Sequence, residues 1–348
     1  MAEWDDIRLE LERTRLPNGA PDFDGVRRAK IQELITHTGR PLLIYASDFL
    51  NEPKVAACGG EVNLDLRDKN GFSECTSRID GEALDVLIHS PGGLAEAAES
   101  IVKLLRHRLR DVRFIVPSIA KSAATMLVLS GNQIVMDEMS ELGPTDPQFL
   151  INRGDGSQVY APAQAIIDQF EKAEAQLKTD PKRLPAWLPI LPLYGPALYQ
   201  QCKNAIDLSK RLVRSWLTEY MFGSLPARQR GAAARKIANF FAEHNNFLTH
   251  LRRVDIDRMM RLGAVVHDMR QDAALRTRVR ALYFALIFTF DGTGAFKIIE
   301  NSLGDAYVRI AMGQVIQIVQ PRQPVQPVQP GPTPQPPQPV QPGGAPTP

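Results

Sequence analysis

The chain has 348 residues, 44% hydrophobic and 23% charged, with 41 basic against 39 acidic side chains and a formal net charge of +2. That length can bury a full core in one large or two moderate domains, and the composition is that of a soluble globular chain. The near balance of charge gives no general electrostatic reason to bind nucleic acid or an anionic membrane. Three cysteines, Cys58, Cys75 and Cys202, without metal-type spacing, point to reduced thiols in the cytoplasm and to no metal site.

Residues 1–28 read as a loosely packed lead-in. Its first six residues are acidic and lack the apolar centre of a secretory signal, and Pro17-Asn18-Gly19 is a turn. An α/β core is expected over 29–160. Three short apolar runs, 84–89, 112–117 and 133–136, are rich in β-branched residues and closed by Pro, Gly or polar turns, the pattern of buried strands. Leu94, Ala97, Ala98, Ile101, Leu104 and Leu105 recur at helical spacing after the first run, and Ala123–Ser130 is a small apolar helix after the second. Alternating strand, turn and helix imply parallel strands with crossover helices.

From Pro162 to Leu248 the pattern is mostly helical, broken by a bend through Pro181, Pro185, Pro189, Pro192 and Pro196. Helices are expected over 205–221 and 232–243. This section either caps a cleft, mediates self-assembly or packs as a plain extension. The arginine-rich stretches 106–113 and 228–235 read as solvated helix faces. Residues 249–301 return to the core with a helix and a hairpin turning at Gly292-Thr293-Gly294, which lacks the spacing of a phosphate loop. The apolar run 281–290 is too short to span a bilayer and reads as a buried helix end or strand. Beyond Ile318, repeated Gln-Pro and Val-Gln-Pro units form an extended, disordered tail (319–348), a spacer or a ligand for a proline-binding domain.

The chemistry lies between residues 83 and 148. Ser90-Pro91-Gly92-Gly93 follows the first strand, Lys121-Ser122-Ala123-Ala124 the second, and Ser140-Glu141-Leu142-Gly143-Pro144-Thr145-Asp146-Pro147-Gln148 the third. Acyl transfer needs a nucleophile on a tight turn and amide N–H groups aimed at the developing oxyanion. Ser122 fits the first role; the amides of Gly92, Gly93 and Ala123 fit the second. Each motif alone has an ordinary reading: Gly-Gly as a turn, Ser122 as a helix cap, Asp146 as a turn former, His250 as a loop histidine. Their order at successive strand ends is what points to a hydrolase.

These three motifs resemble the serine dehydrogenase proteinase family, a branch of the superfamily that holds Clp proteolytic subunits, signal peptide peptidase A and the crotonases. Thr38–Ser47, Trp187–Ile190 with Tyr194-Gly195-Pro196, Trp216-Leu217, Thr249-His250 and Gly292–Asn301 extend the likeness over roughly residues 27–303. The resemblance implies a Clp/crotonase-like spiral of β-β-α units over 29–318, with a helical extension at about 162–248. It further implies a Ser122 nucleophile, a glycine oxyanion hole, a peptide or protein substrate and a homo-oligomer, and it implies no cofactor. The order Ser, Asp, His carries over to Ser122, Asp146 and His250. Clp proteases have a histidine where Asp146 stands, and the stretch where signal peptide peptidases carry a lysine base, 154–160, has none. Lys172, off the apolar face of its helix, is the alternative base; Lys121 should point away from its neighbour, and His89 reads as a hydrogen-bonded core histidine. Two other readings stand beside the peptidase: a crotonase-like acyl-CoA enzyme, and a catalytically inactive interaction module.

Overall fold

A computed structural model describes residues 3–152 and 156–311. Strands β1 (Leu42–Ser47), β2 (Ala83–His89), β3 (Asp111–Ile115) and β5 (Gln133–Met136) lie parallel, with β9 (Val266–Asp268) parallel beyond β5. Strand β10 (Ala295–Asn301) pairs antiparallel with β1, and β11 (Ala306–Ile310) completes the order β11-β10-β1-β2-β3-β5-β9. Both faces of this sheet are covered, so its central strands carry buried apolar residues on both faces rather than on one. Leu42, Ile44, Ala46, Leu87, Ile115 and Val135 face helices α2 (Phe23–Thr38) and α12 (Ala273–Gly292). Leu43, Tyr45, Val86, Ile88, Phe114 and Ile134 face the other way, onto α4 (Asp68–Thr76), α5 (Ala95–Arg106) and α6 (Ala123–Leu129).

A second row of very short strands builds the site. Each long strand runs on into one extended residue or two. Ser90 follows β2, β4 (Ile119–Ala120) follows β3, and β6 (Glu141–Leu142) follows β5. They bridge sideways as Ser90 to Ala120, Ala120 to Leu142 and Leu142 to Val254. The repeating unit is thus long strand, short strand, helix, the β-β-α arrangement expected, and it brings the turns that follow successive strands side by side.

After β6, a ribbon of β7 (Gln148–Asn152) and β8 (Gln158–Pro162) leads into α7 (Ala163–Thr179), the short α8 (Leu184–Trp187), α9 (Leu198–Trp216) and α10 (Ala227–Ala242). Helix α11 (Ile256–Leu262) then returns the chain to β9, and α3 (Glu52–Cys58) lies between β1 and α4.

Three local expectations need correction. The lead-in is not loose: α1 (Glu3–Arg13) buries Ile7 and Leu11 against α12, and Trp4 packs on Phe284 and Phe288. The Gly292–Gly294 segment is a helix-to-strand turn, because the run 281–290 continues α12; the hairpin turns instead at Ser302–Asp305. The stretch 106–113 is not a solvated helix face, since Arg106 stacks over Tyr220 and Arg113, in β3, pairs with the buried Asp85. The tail 319–348 lies outside the described residues.

Candidate active site

Ser122 leaves β4 with φ 51° and ψ −123°, a left-handed conformation costly for a residue with a Cβ. It occupies the N-cap position of α6, but its side chain makes no capping hydrogen bond. The hydroxyl is therefore half-buried, held on a strained strand-to-helix turn and unused structurally. Hydrolases present a nucleophile in this way.

The Ser-Pro-Gly-Gly turn is pressed against it. Ser90 N–H donates to Ile119 O at 2.9 Å, and Lys121 N–H donates to Ser90 O at 3.0 Å, which fixes the two turns side by side. Gly92, at φ 92°, has no room for a side chain: a Cβ there would stand 2.4 Å from Lys121 O and 2.6 Å from Ser122 Cβ. Gly93 is held from its other flank, where Leu64 N–H donates to Gly92 O at 2.7 Å and Leu94 N–H to Leu64 O at 3.0 Å. Gly92 N–H donates to Ser90 Oγ at 3.2 Å. Among the described residues, Gly93 N–H and Ala123 N–H have no acceptor. The Gly92 amide is thus engaged by Ser90 Oγ, whereas those of Gly93 and of Ala123, the residue after the serine, are not hydrogen-bonded among the described residues.

Asp146 and His250 lie on the two segments joined by the isolated antiparallel bridge of Leu142 with Val254. His250 Nδ1 lies 2.7 Å from Asp146 Oδ1, and the carboxylate is almost wholly buried. With Nδ1 so engaged, Nε2 is the free nitrogen of the ring. No hydrogen bond joins Ser122 Oγ to either ring nitrogen among the described residues. Such contacts tighten when substrate binds.

The other candidates lie elsewhere. Lys172 is exposed on α7 with no bond to Ser122. Lys121 is buried and turned from the nucleophile; its ammonium donates to Glu141 Oε2 at 3.0 Å and to Leu142 O at 3.1 Å. Burial pulls its pKa down, opposed by Glu141. Its stem fits because residue 143 is glycine, where a Cβ would stand 2.5 Å from Lys121 Cδ. His89 is a core histidine: Nδ1 accepts from Ile119 N–H at 3.4 Å, the ring meets Phe49 and Tyr283, and burial pushes its pKa down to about 3. Two surface concavities, of about 530 Å³ beside Arg211, Arg214 and Arg230 and about 310 Å³ beside Arg252 and Arg258, contain none of the candidate catalytic residues in their walls.

Sequence reasoning missed His244. It follows α10, and its Nδ1 lies 3.0 Å from Asp146 Oδ2, which also accepts from Gln148 Nε2 at 2.9 Å. The only available signal was a second imidazole six residues before His250. It also missed Leu64, whose pairing with Gly93 is long-range. Among the described residues no group of three or more His, Cys, Asp or Glu could hold a metal ion, and no helix is long and apolar enough to cross a membrane.

Residues 75–184 match the family model described as ClpP-like SDH-type serine proteinase. Two uncharacterized proteins of Methanocaldococcus jannaschii are similar. MJ0137 is 46% identical over 97 residues, 28% of this chain and 31% of that protein. MJ1495 is 38% identical over 184 residues, 53% of this chain and 52% of that protein. The chain thus spans about half or less of the length of these curated relatives. Among solved structures, two mutants of the 1510-N membrane-bound stomatin-specific protease are distantly similar. One, a lysine-to-alanine mutant with a substrate peptide, has a TM-score of 0.35 at 18% identity, covering 59% of this chain and 71% of that one. The other, a serine-to-alanine mutant, has a TM-score of 0.36 at 16% identity, covering 61% and 79%. Both are too remote to bear on individual residues.

Proposed function

Starting from a chain whose segment 75–184 is of the ClpP-like SDH serine proteinase type, we propose that it hydrolyses peptide bonds with Ser122 as nucleophile, His250 as base and Asp146 as the carboxylate that orients His250. Ser122 Oγ attacks the peptide carbonyl carbon while its proton passes to His250 Nε2. The carbonyl oxygen becomes an oxyanion and accepts from Gly93 N–H and Ala123 N–H, each such donor contributing about 100- to 1,000-fold in rate. Collapse breaks the C–N bond, and the departing amine takes the proton from His250. Water, deprotonated by the same nitrogen, then releases the acyl group from the serine. Asp146 holds Nδ1–H throughout and stabilises the imidazolium.

One observation carries this reading: the close approach of Gly92 to Ser122, beside two amides that have no acceptor among the described residues. A fluorophosphonate probe should label the wild-type protein and leave Ser122→Ala unlabelled. Equal labelling of the two would sink the proposal.

A further inference from the structure

Asp146 does not serve His250 alone. Its carboxylate is 2% exposed and meets three nitrogen groups: His250 on Oδ1, His244 and Gln148 on Oδ2. A carboxylate bound on one oxygen only could swing about its Cβ–Cγ bond, and its other oxygen, buried without a partner, would cost about 1–3 kcal/mol or attract another donor. The second pair of donors removes both problems.

The placement of His244 follows from the helical section. Thr145 N–H donates to Phe241 O at 2.8 Å, and Ser209 Oγ in α9 donates to Thr145 O at 3.0 Å, so α9 and α10 clamp the residue before Asp146 from both sides of its peptide. His244 comes three residues after Phe241, at the start of the short helical turn that ends α10. It is 15% exposed against 23% for His250. His250 comes from a different stretch, paired through Val254 to β6. Two chain segments therefore converge on one carboxylate from its two oxygens.

We propose that His244 is a positioning residue of the site: it pins Asp146 Oδ2 so that Oδ1 holds the His250 ring in its working orientation, and it thereby makes catalysis depend on α10 being docked. This rests on the Ser122–His250 reading for its catalytic consequence, but the hydrogen-bond claim stands without it. Among the described residues either imidazole has a free Nε2, yet His250 has the shorter contact and an oxygen to itself, while His244 shares its oxygen with Gln148.

The test compares His244→Ala, His244→Asn and His250→Asn in the full chain. Asparagine places an N–H near the position of Nδ1, so it keeps the donor and removes the imidazole. Two readouts are taken. The first is the downfield proton resonance of His250 Nδ1–H in its hydrogen bond to Asp146. The second is steady-state peptide hydrolysis. Loss of the donor should exchange-broaden the resonance in His244→Ala and lower kcat by about 10- to 100-fold with KM little changed, the usual effect of a loosened catalytic geometry. His244→Asn should restore most of both. A resonance equally sharp in His244→Ala overturns the proposal whatever the activity. If His244→Asn is as inactive as His244→Ala, His244 is itself the base and the positioning role is wrong. Should the resonance respond as expected while the wild type shows no Ser122-dependent hydrolysis, the nucleophile assignment fails and the role of His244 survives.

Discussion

Two buried carboxylates, Asp68 and Asp146, differ in the partners that hold them. Asp68, fully buried, is bonded through both oxygens to Lys297 Nζ at 2.9 Å, accepts from Tyr45 O–H at 2.8 Å and from Asp65 N–H at 3.0 Å. Lys297 also donates to Asn63 O at 2.7 Å, so this pair braces the chain just before Leu64, the residue that holds Gly93. Desolvation lowers the pKa of Lys297 against the pull of Asp68, and it drives that of Tyr45 well up. Lys297 and Tyr45 in this cluster are sealed from solvent. Asp146 is buried almost as deeply, but two of its partners are imidazoles that reach solvent. Burial is shared by both; under the proposed mechanism it is a partner of Asp146 that takes the proton of the serine.

The comparison can be broken most forcefully at Asp146. Asp146→Asn should lower kcat/KM by roughly 10,000-fold, because the amide would favour the wrong tautomer of His250, while a thermal melt moves comparatively little. The reverse pattern belongs to the other pair. Lys297→Met removes the nearer cation from the buried Asp68, leaving Arg309 at 3.9 Å, and should cost about 3–5 kcal/mol in urea unfolding. Replacing both, as in Lys297→Met with Asp68→Leu, should recover much of that loss. A Lys297→Met protein of undiminished stability would end the distinction.

A smaller effect concerns pH. His89, held neutral by burial with a pKa of about 3 against its ordinary 6.5, is uncharged in the folded chain but takes a proton in the unfolded chain within that window. The unfolded state therefore binds more protons, and this residue's share of stability is complete above 6.5 and drains away as pH falls toward 3. His89→Gln, which keeps an acceptor for Ile119 N–H, should make the melting temperature fall less steeply over the same range. Smallest of all is Lys172→Ala, expected to change stability by less than about 0.5 kcal/mol and to leave probe labelling intact. Lost labelling in that variant would restore Lys172 as a candidate base.

The strands and the two glycine- and serine-bearing turns were legible because they are local. Apolar runs at 84–89, 112–117 and 133–136 end in residues whose types match the turns they form, and β2, β3 and β5 appear there. Ser122 follows from its motif, Asp146 and His250 from the family resemblance, and the structure brings the latter two into contact. What could not be read depends on tertiary register. No local pattern tells that Leu64 would lie beside Gly93, that α10 would deliver His244, or that Arg106 would find Tyr220. The docking of α1 was missed because only Trp4, Ile7 and Leu11 provide its apolar contact, too sparse a stripe to stand out in an acidic segment.

The bridge between Leu142 and Val254 has a practical consequence for anyone who shortens this protein. A fragment cut to the family-matched span 75–184 would keep the serine, both glycines and the aspartate. It would lack both imidazoles that meet Asp146, together with β1, which pairs with β2 in the intact sheet, and β10, which pairs with β1. The recognisable stretch and the working machine are different objects here, and an inactive fragment would testify to the excision rather than to the chemistry.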